Sequence, residues 1–191
     1  MDEKIVKGAN YVYTKDYIIK TYGLPKWQQI LDKLSKPSAM IWSNNLILID
    51  SFPFEPYYEI IKTLAEVCGL NSTEELGKVY EYIAHKSLNS VYQMFLSLTQ
   101  PSFVLSRYPL LWKRFFNTGM VKINHIEKGK AEIEFGLPAS FKEWITPACY
   151  GFSKAAIEMA GGSQFNQKLR TSEVSDSGEW KFVYDLTWLE K

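Results

Sequence analysis

The stretch VKINHIEKGKAEIEFGLPASFKEWITPACYGFSKAAIEMAGG, residues 121–162, decides the fold. In its first part Val121 and Ile123, then Ala131, Ile133 and Phe135, alternate with charged or amide residues. A period of two marks a half-buried strand. Glu127-Lys128-Gly129-Lys130 separates the two runs, and Gly129 supplies the positive φ that a tight turn needs. The spacing predicts an antiparallel hairpin with one solvated face. In the second part Thr146 stands where a helix N-cap belongs, Pro147 at the first helical position and Gly161 at the stop. Gly151 and Ala155, four residues apart, leave one side of that helix nearly bare, so another backbone can approach closely. A glycine inside a helix costs about 1 kcal/mol relative to alanine, so packing or function must offset it.

Working outward, a second hairpin is expected from Leu169–Val174 and Glu179–Trp188 around Ser175-Asp176-Ser177-Gly178, with Trp180, Phe182, Tyr184, Leu186 and Trp188 alternating. Upstream the pattern is helical. A strand or arm ends at Gly8, Thr14 caps a helix that stops at Gly23, and Leu24-Pro25 opens another that ends at Lys36-Pro37. Residues 39–49 read as irregular or a weak strand. Pro56 sits in the first turn of a helix carrying Tyr57, Ile60, Ile61 and Leu64, closed by Gly69. Ser72 and Glu75 form a capping box that starts a long central helix, with Leu76, Val79, Tyr80, Ile83, Val91, Phe95 and Leu98 at helical spacing until Gln100-Pro101 stops it. Pro109 splits the helical run between Pro101 and Gly119 in two.

These elements predict one α+β domain over residues 1–191, with helices packed on a twisted antiparallel sheet built from two C-terminal hairpins. The chain is 46% hydrophobic and 15% aromatic, enough for a core that needs neither disulfides nor a structural metal. A net charge of +1, from 22 basic and 21 acidic residues spread along the chain, gives no field for nucleic acid. No apolar run is long enough to span a membrane, and the two cysteines, Cys68 and Cys149, lack metal spacing. A reduced, cytoplasmic location is the expectation.

The phosphate-loop, dinucleotide, nucleophile-elbow, zinc-protease and C-x-x-C signatures are all missing. No acid, base or nucleophile stands at a recognisable spacing, so the chain reads as a binding protein rather than an enzyme. His85 lies on the long helix without a partner at ligand spacing, and His125 lies on the polar side of the first hairpin. Cys68 and Cys149 read as buried small hydrophobes, although Cys149 in the first turn of its helix would feel the helix dipole.

Six short segments carry a resemblance over nearly the whole chain: Val6-Lys7-Gly8, Phe52-Pro53-Phe54, Asn117-Thr118-Gly119, Leu137-Pro138, Tyr150-Gly151 and Leu186-Thr187-Trp188. With them the chain resembles an uncharacterised bacterial family, a large paralogous set in myxobacteria with a Bet3-like fold. That family is similar to a superfamily holding vesicle-tethering subunits, the 4-vinyl-reductase-type small-molecule-binding domain and the haem nitric-oxide-binding domain. The resemblance implies helices on an antiparallel sheet, often around an apolar cavity, and frequent dimerisation. The haem branch's Tyr-x-Ser-x-Arg motif is absent, so haem is possible but disfavoured and His85 inherits no role. The metal-binding cysteines of the vinyl-reductase branch are absent too. Cys68 stands only approximately where the tethering branch carries an acylated cysteine.

Two functions are therefore expected. The first is a non-catalytic binding or sensor domain for a small apolar molecule or acyl chain, lined by Cys68, Tyr80, Tyr92 and Phe95. The alternative is an interaction module that forms a homodimer through the Gly151/Ala155 face.

Overall fold

The computed structural model describes residues 3–88, 100–175 and 178–190. Strand β1 (Ile5–Lys7) pairs antiparallel with β2 (Ser51–Pro53), tying the start of the chain to the entry of the third helix. Helix α1 (Gly8–Lys33) breaks at Gly23, whose φ of 84° and ψ of 165° lie outside the helical region, and Pro25 opens the next piece. The break falls where the sequence places it, but the start does not. Thr14 is fully buried and its hydroxyl lies 3.4 Å from that of Tyr57, so it is a core residue and not a cap.

Helix α2 (Lys36–Ser43) occupies residues expected to be irregular or a weak strand. Pro37 lies in its first turn, and Trp42 is fully buried with its indole N–H donating to Pro56 O at 3.0 Å. Helix α3 (Phe54–Cys68) closes on Gly69 in the left-handed region, and α4 (Thr73–Ser87) opens on the expected capping box, with Glu75 N donating to Ser72 Oγ at 3.1 Å. Helix α4 ends at Ser87, with Leu88 outside helical geometry, so it is shorter than the long helix expected. Tyr92 and Phe95 lie outside the described residues. Pro109 falls in the first turn of α6 (Tyr108–Phe115), which follows α5 (Pro101–Ser106) and confirms the predicted split.

The main sheet is antiparallel throughout, in the order β3-β4-β6-β5. Strands β3 (Met120–Glu127) and β4 (Lys130–Leu137) turn at Gly129, at φ 76°. Helix α7 (Lys142–Met159) starts before the predicted Thr146 cap, because the turn Ala139–Phe141 runs directly into it. Thr146 instead places its hydroxyl 2.8 Å from that of Tyr184. Strands β5 (Gly162–Val174) and β6 (Trp180–Glu190) make the second hairpin.

The alternation of β4 and β6 puts Ile133, Phe135, Phe182, Tyr184, Leu186 and Trp188 into the core. The opposite face carries charge. Arg170 pairs with Glu132, and Lys181 lies between Glu134 and Glu173. Helices α5, α6 and α7 pack on the sheet, and α4 packs against α7. One main hydrophobic cluster, from Val6 to Trp188, joins the two layers.

A candidate apolar binding site between α6 and α7

An apolar hollow of about 40 Å³ lies where the end of α4 meets α5, α6 and α7. Helix α7 supplies Ile145, Ala148, Cys149, Phe152 and Ala156, at the i, i+3, i+4, i+7 and i+11 positions of a single helical stripe. Helix α6 supplies Tyr108, Leu111, Trp112 and Phe115. Trp112 stacks on Phe116 at 4.4 Å and lies 6.0 Å from Trp144, so rigid rings form the rear wall.

The two ionisable groups at the hollow are held neutral. Burial pushes the Cys149 thiol up to about 12, against the opposing influence of Ser153, whose Oγ lies 3.8 Å from Sγ. Burial, with Cys149 beside it, also carries the Tyr108 phenol well above its ordinary value. A thiol and a phenol that keep their protons offer neither nucleophile nor base at neutral pH. The hollow can hold an apolar molecule by dispersion and by excluding water.

A wider groove of about 310 Å³ lies on the other side of Leu88, Leu111 and Phe115, which wall both spaces. Its remaining lining comes from Lys7, Ala9, Tyr13, Leu48, Ile49, Ser87 and Arg114.

Of the lining residues singled out in the sequence, the two described ones, Cys68 and Tyr80, do not line the hollow. Cys68 ends α3, half-buried, and burial raises its thiol while Lys26 opposes the rise. Tyr80 is fully buried on α4 with its ring edge-on to Trp144 at 6.1 Å, so it stands one layer behind the wall. Among the described residues the Tyr80 hydroxyl and the Trp144 indole N–H make no hydrogen bond of good geometry, although Trp144 and Tyr57 stand beside the phenol. Burial carries the Tyr80 phenol well above its usual range, so it too stays protonated.

Gly151 and Ala155 are not a dimer surface. Both are buried within the chain, and Gly151 faces α4, where a Cβ would fall 2.1 Å from Gly77 O. The bare face does admit a close backbone, but that backbone belongs to the same chain. The residues missed were Tyr108, Trp112, Ala148, Cys149 and Phe152. The signal for the last three was the apolar stripe of α7, which runs beside the small-residue face, whereas Tyr108 and Trp112 stand four apart on α6.

Neither histidine lines the hollow. His125 is exposed on β3, 3.3 Å from Glu127, and His85 is half-buried in the last turn of α4. Among the described residues no group of three His, Cys, Asp or Glu could hold a metal ion, and no helix is long and apolar enough to cross a membrane.

No family model matches the chain, and no curated protein does. Solved structures do. The Fe(II) unliganded H-NOX protein from K. algicida superposes with a TM-score of 0.74 at 12% identity, covering 97% of each chain. An oxygen-binding H-NOX domain related to soluble guanylate cyclases gives 0.64 at 10% identity, covering 95% of this chain and 94% of that one. The I5F mutant of the T. Tengcongensis H-NOX protein gives 0.63 at 12% identity, covering 95% and 97%. The fold is H-NOX-like, with helices packed on an antiparallel sheet.

The described residues do not fit a haem. The hollow would admit only a molecule of a few atoms, its side chains that could ligate iron are a protonated thiol and a protonated phenol, and no cation among the described residues lines it to meet propionates.

Proposed function

We propose that this chain is a non-catalytic domain that uses an H-NOX-like fold, without haem, to bind a small apolar molecule between α6 and α7. The observation that carries this reading is the apolar hollow itself, walled by Trp112, Phe152 and Cys149 and held free of ionised groups. Cores are ordinarily packed to crystal-like density, so a hollow bounded by rigid rings on a continuous helical stripe is a place where a ligand gains contacts that the protein lacks. Binding there would press on α6 and α7, which both contact the sheet, and that is how the domain would report occupancy as a sensor. The finer kinship with the myxobacterial, Bet3-like set belongs to the same reading, as does a cytoplasmic location, while an acyl chain as ligand would have to extend beyond the hollow.

The test is a native mass spectrum of the freshly purified chain, followed by thermal shifts with small aromatic and aliphatic molecules. A discrete retained mass, or a rise in melting temperature that saturates with ligand, is expected. No adduct together with no shift across the series would overturn the reading.

A second reading, an interaction module, draws on β5. Among the described residues this strand pairs only with β6, leaving its outer edge open, and it exposes Leu169 and Val174. The same spectrum tests it, because a dimer mass without adduct is its expected outcome.

A further inference from the structure

We propose that the groove outside the hollow binds an amphipathic organic acid, with the carboxylate on Lys7 and the apolar body running over Leu111 and Phe115 toward the hollow. This rests on the apolar-ligand reading and names the class of molecule.

Charge is the first reason. Among the described residues the groove is lined by Lys7 and Arg114 and by no Asp or Glu. A smaller hollow shares Lys7, Arg114 and Phe115 with it and adds Lys113, again without an acidic residue. Three cations therefore gather at one end of an otherwise apolar trough. Lys7 Nζ donates to Ser51 Oγ at 3.0 Å and makes no ion pair among the described residues. An ammonium has three protons to give, so a carboxylate can be added without displacing that bond.

Orphaned and exposed groups are the second reason. Ser87 lines the groove, and among the described residues its Oγ is enclosed without a hydrogen-bond partner. A buried hydroxyl left unmatched is destabilising, and a ligand oxygen would relieve it. Ile49 and Leu48 line the same groove while 82% and 43% exposed, an arrangement that leaves apolar surface ready to cover an apolar chain.

Size and order are the third. The groove's 310 Å³ lies at the lower end of the range for ligand sites, about 300–1,000 Å³. Its inner wall is the pair Leu111 and Phe115, which is also the outer wall of the hollow. The end of the chain lies there, and the acid lies at the basic end.

The experiment is calorimetric titration of the full chain with decanoate and with 1-decanol, which share a chain length and differ in charge. Decanoate should saturate at one molecule per chain and bind about tenfold more tightly than 1-decanol, the worth of one charge-assisted hydrogen bond. Lys7→Gln should weaken decanoate to the level of 1-decanol and so remove that preference, and Lys7→Arg should restore it. Equal affinities for acid and alcohol, or a preference that survives in Lys7→Gln, would overturn the acid site and leave the apolar-ligand reading standing. Binding of neither probe would overturn both.

Discussion

Gly77 and Gly151 meet across the crossing of α4 and α7, so close that a Cβ at Gly151 would stand 2.1 Å from Gly77 O and 2.9 Å from Glu81 N. Both of those atoms are backbone and neither can swing aside. At Gly77 the obstacle is softer, because the added carbon would meet Tyr150 Cδ1 at 2.6 Å and that ring is only half-buried. Gly151→Ala should therefore destabilise the chain by about 2 kcal/mol, an overpacking cost near the top of the ~1–3 kcal/mol range less the ~1 kcal/mol that alanine gains in a helix. Gly77→Ala should cost less. Urea unfolding of the two variants measures the difference, and equal midpoints would show that the crossing can open.

Glu59 holds the start of α2 from a distance. Its carboxylate accepts from Ser35 N at 2.6 Å and from Ser35 Oγ at 2.8 Å, and it also accepts from the Ser38 hydroxyl. Burial alone would raise this carboxyl, but the Ser35 N–H and the two hydroxyls outweigh it and hold it below its ordinary value. A carboxyl lowered in the folded state adds stability above its unfolded pKa of about 4.3, and that stability is lost as the pH falls through the folded value. Glu59→Gln should cost about 1 kcal/mol at neutral pH, as losing a helix cap does. The gap between wild type and variant should close as the pH is lowered below the usual glutamate range. A gap independent of pH in urea titrations would show that the charge is not what caps α2.

How much of this was legible follows from how local each cause is. Gly129, Gly69, the Ser72/Glu75 box and the Pro109 split act within a few residues, and each was readable where it stands. Helix α2 was not, because its cap is a side chain 24 residues away and the β-branched Ile41, with Ile47 and Ile49 just beyond the helix, suggested a strand. Thr146-Pro147 carried the residue types of a helix start, yet the preceding turn had already begun the helix. The small face of α7 was seen and given to a second chain, since sequence cannot tell which backbone fills a bare face. The hollow needed α6 and α7 to be placed side by side. The α7 stripe that lines it has the same residue types as a filled core.

The two cysteines should differ sharply in reactivity. Cys149 is 1% exposed with its thiol pushed up to about 12 by burial, so it stays protonated at pH 8. Cys68 is half-buried at the end of α3, where Lys26 opposes the effect of burial. A disulfide-exchange reagent should titrate one thiol in the native chain and two in denaturant, and Cys68→Ser should remove the native signal. Two rapid thiols in the native chain would mean that the α7 wall opens readily, and with it the hollow.

Filling the hollow separates its binding role from its structural one. Ala156 is 5% exposed on the α7 stripe and lines the space, so Ala156→Leu can send its added carbons into volume that no other side chain uses. Leucine is nearly as good a helix former as alanine, and an apolar group entering an existing space should change stability by less than about 1 kcal/mol. The variant should keep the wild-type melting temperature and lose any retained mass or ligand-induced thermal shift. Phe152→Ala makes the opposite change. It should lower stability by about 2 kcal/mol, below the ~3–5 kcal/mol of a fully buried ring because Phe152 is half-buried, and should admit larger aromatic ligands. Opposite effects on ligand size in the two variants would place the ligand between α6 and α7, whereas uptake that neither substitution alters would place it elsewhere in the chain.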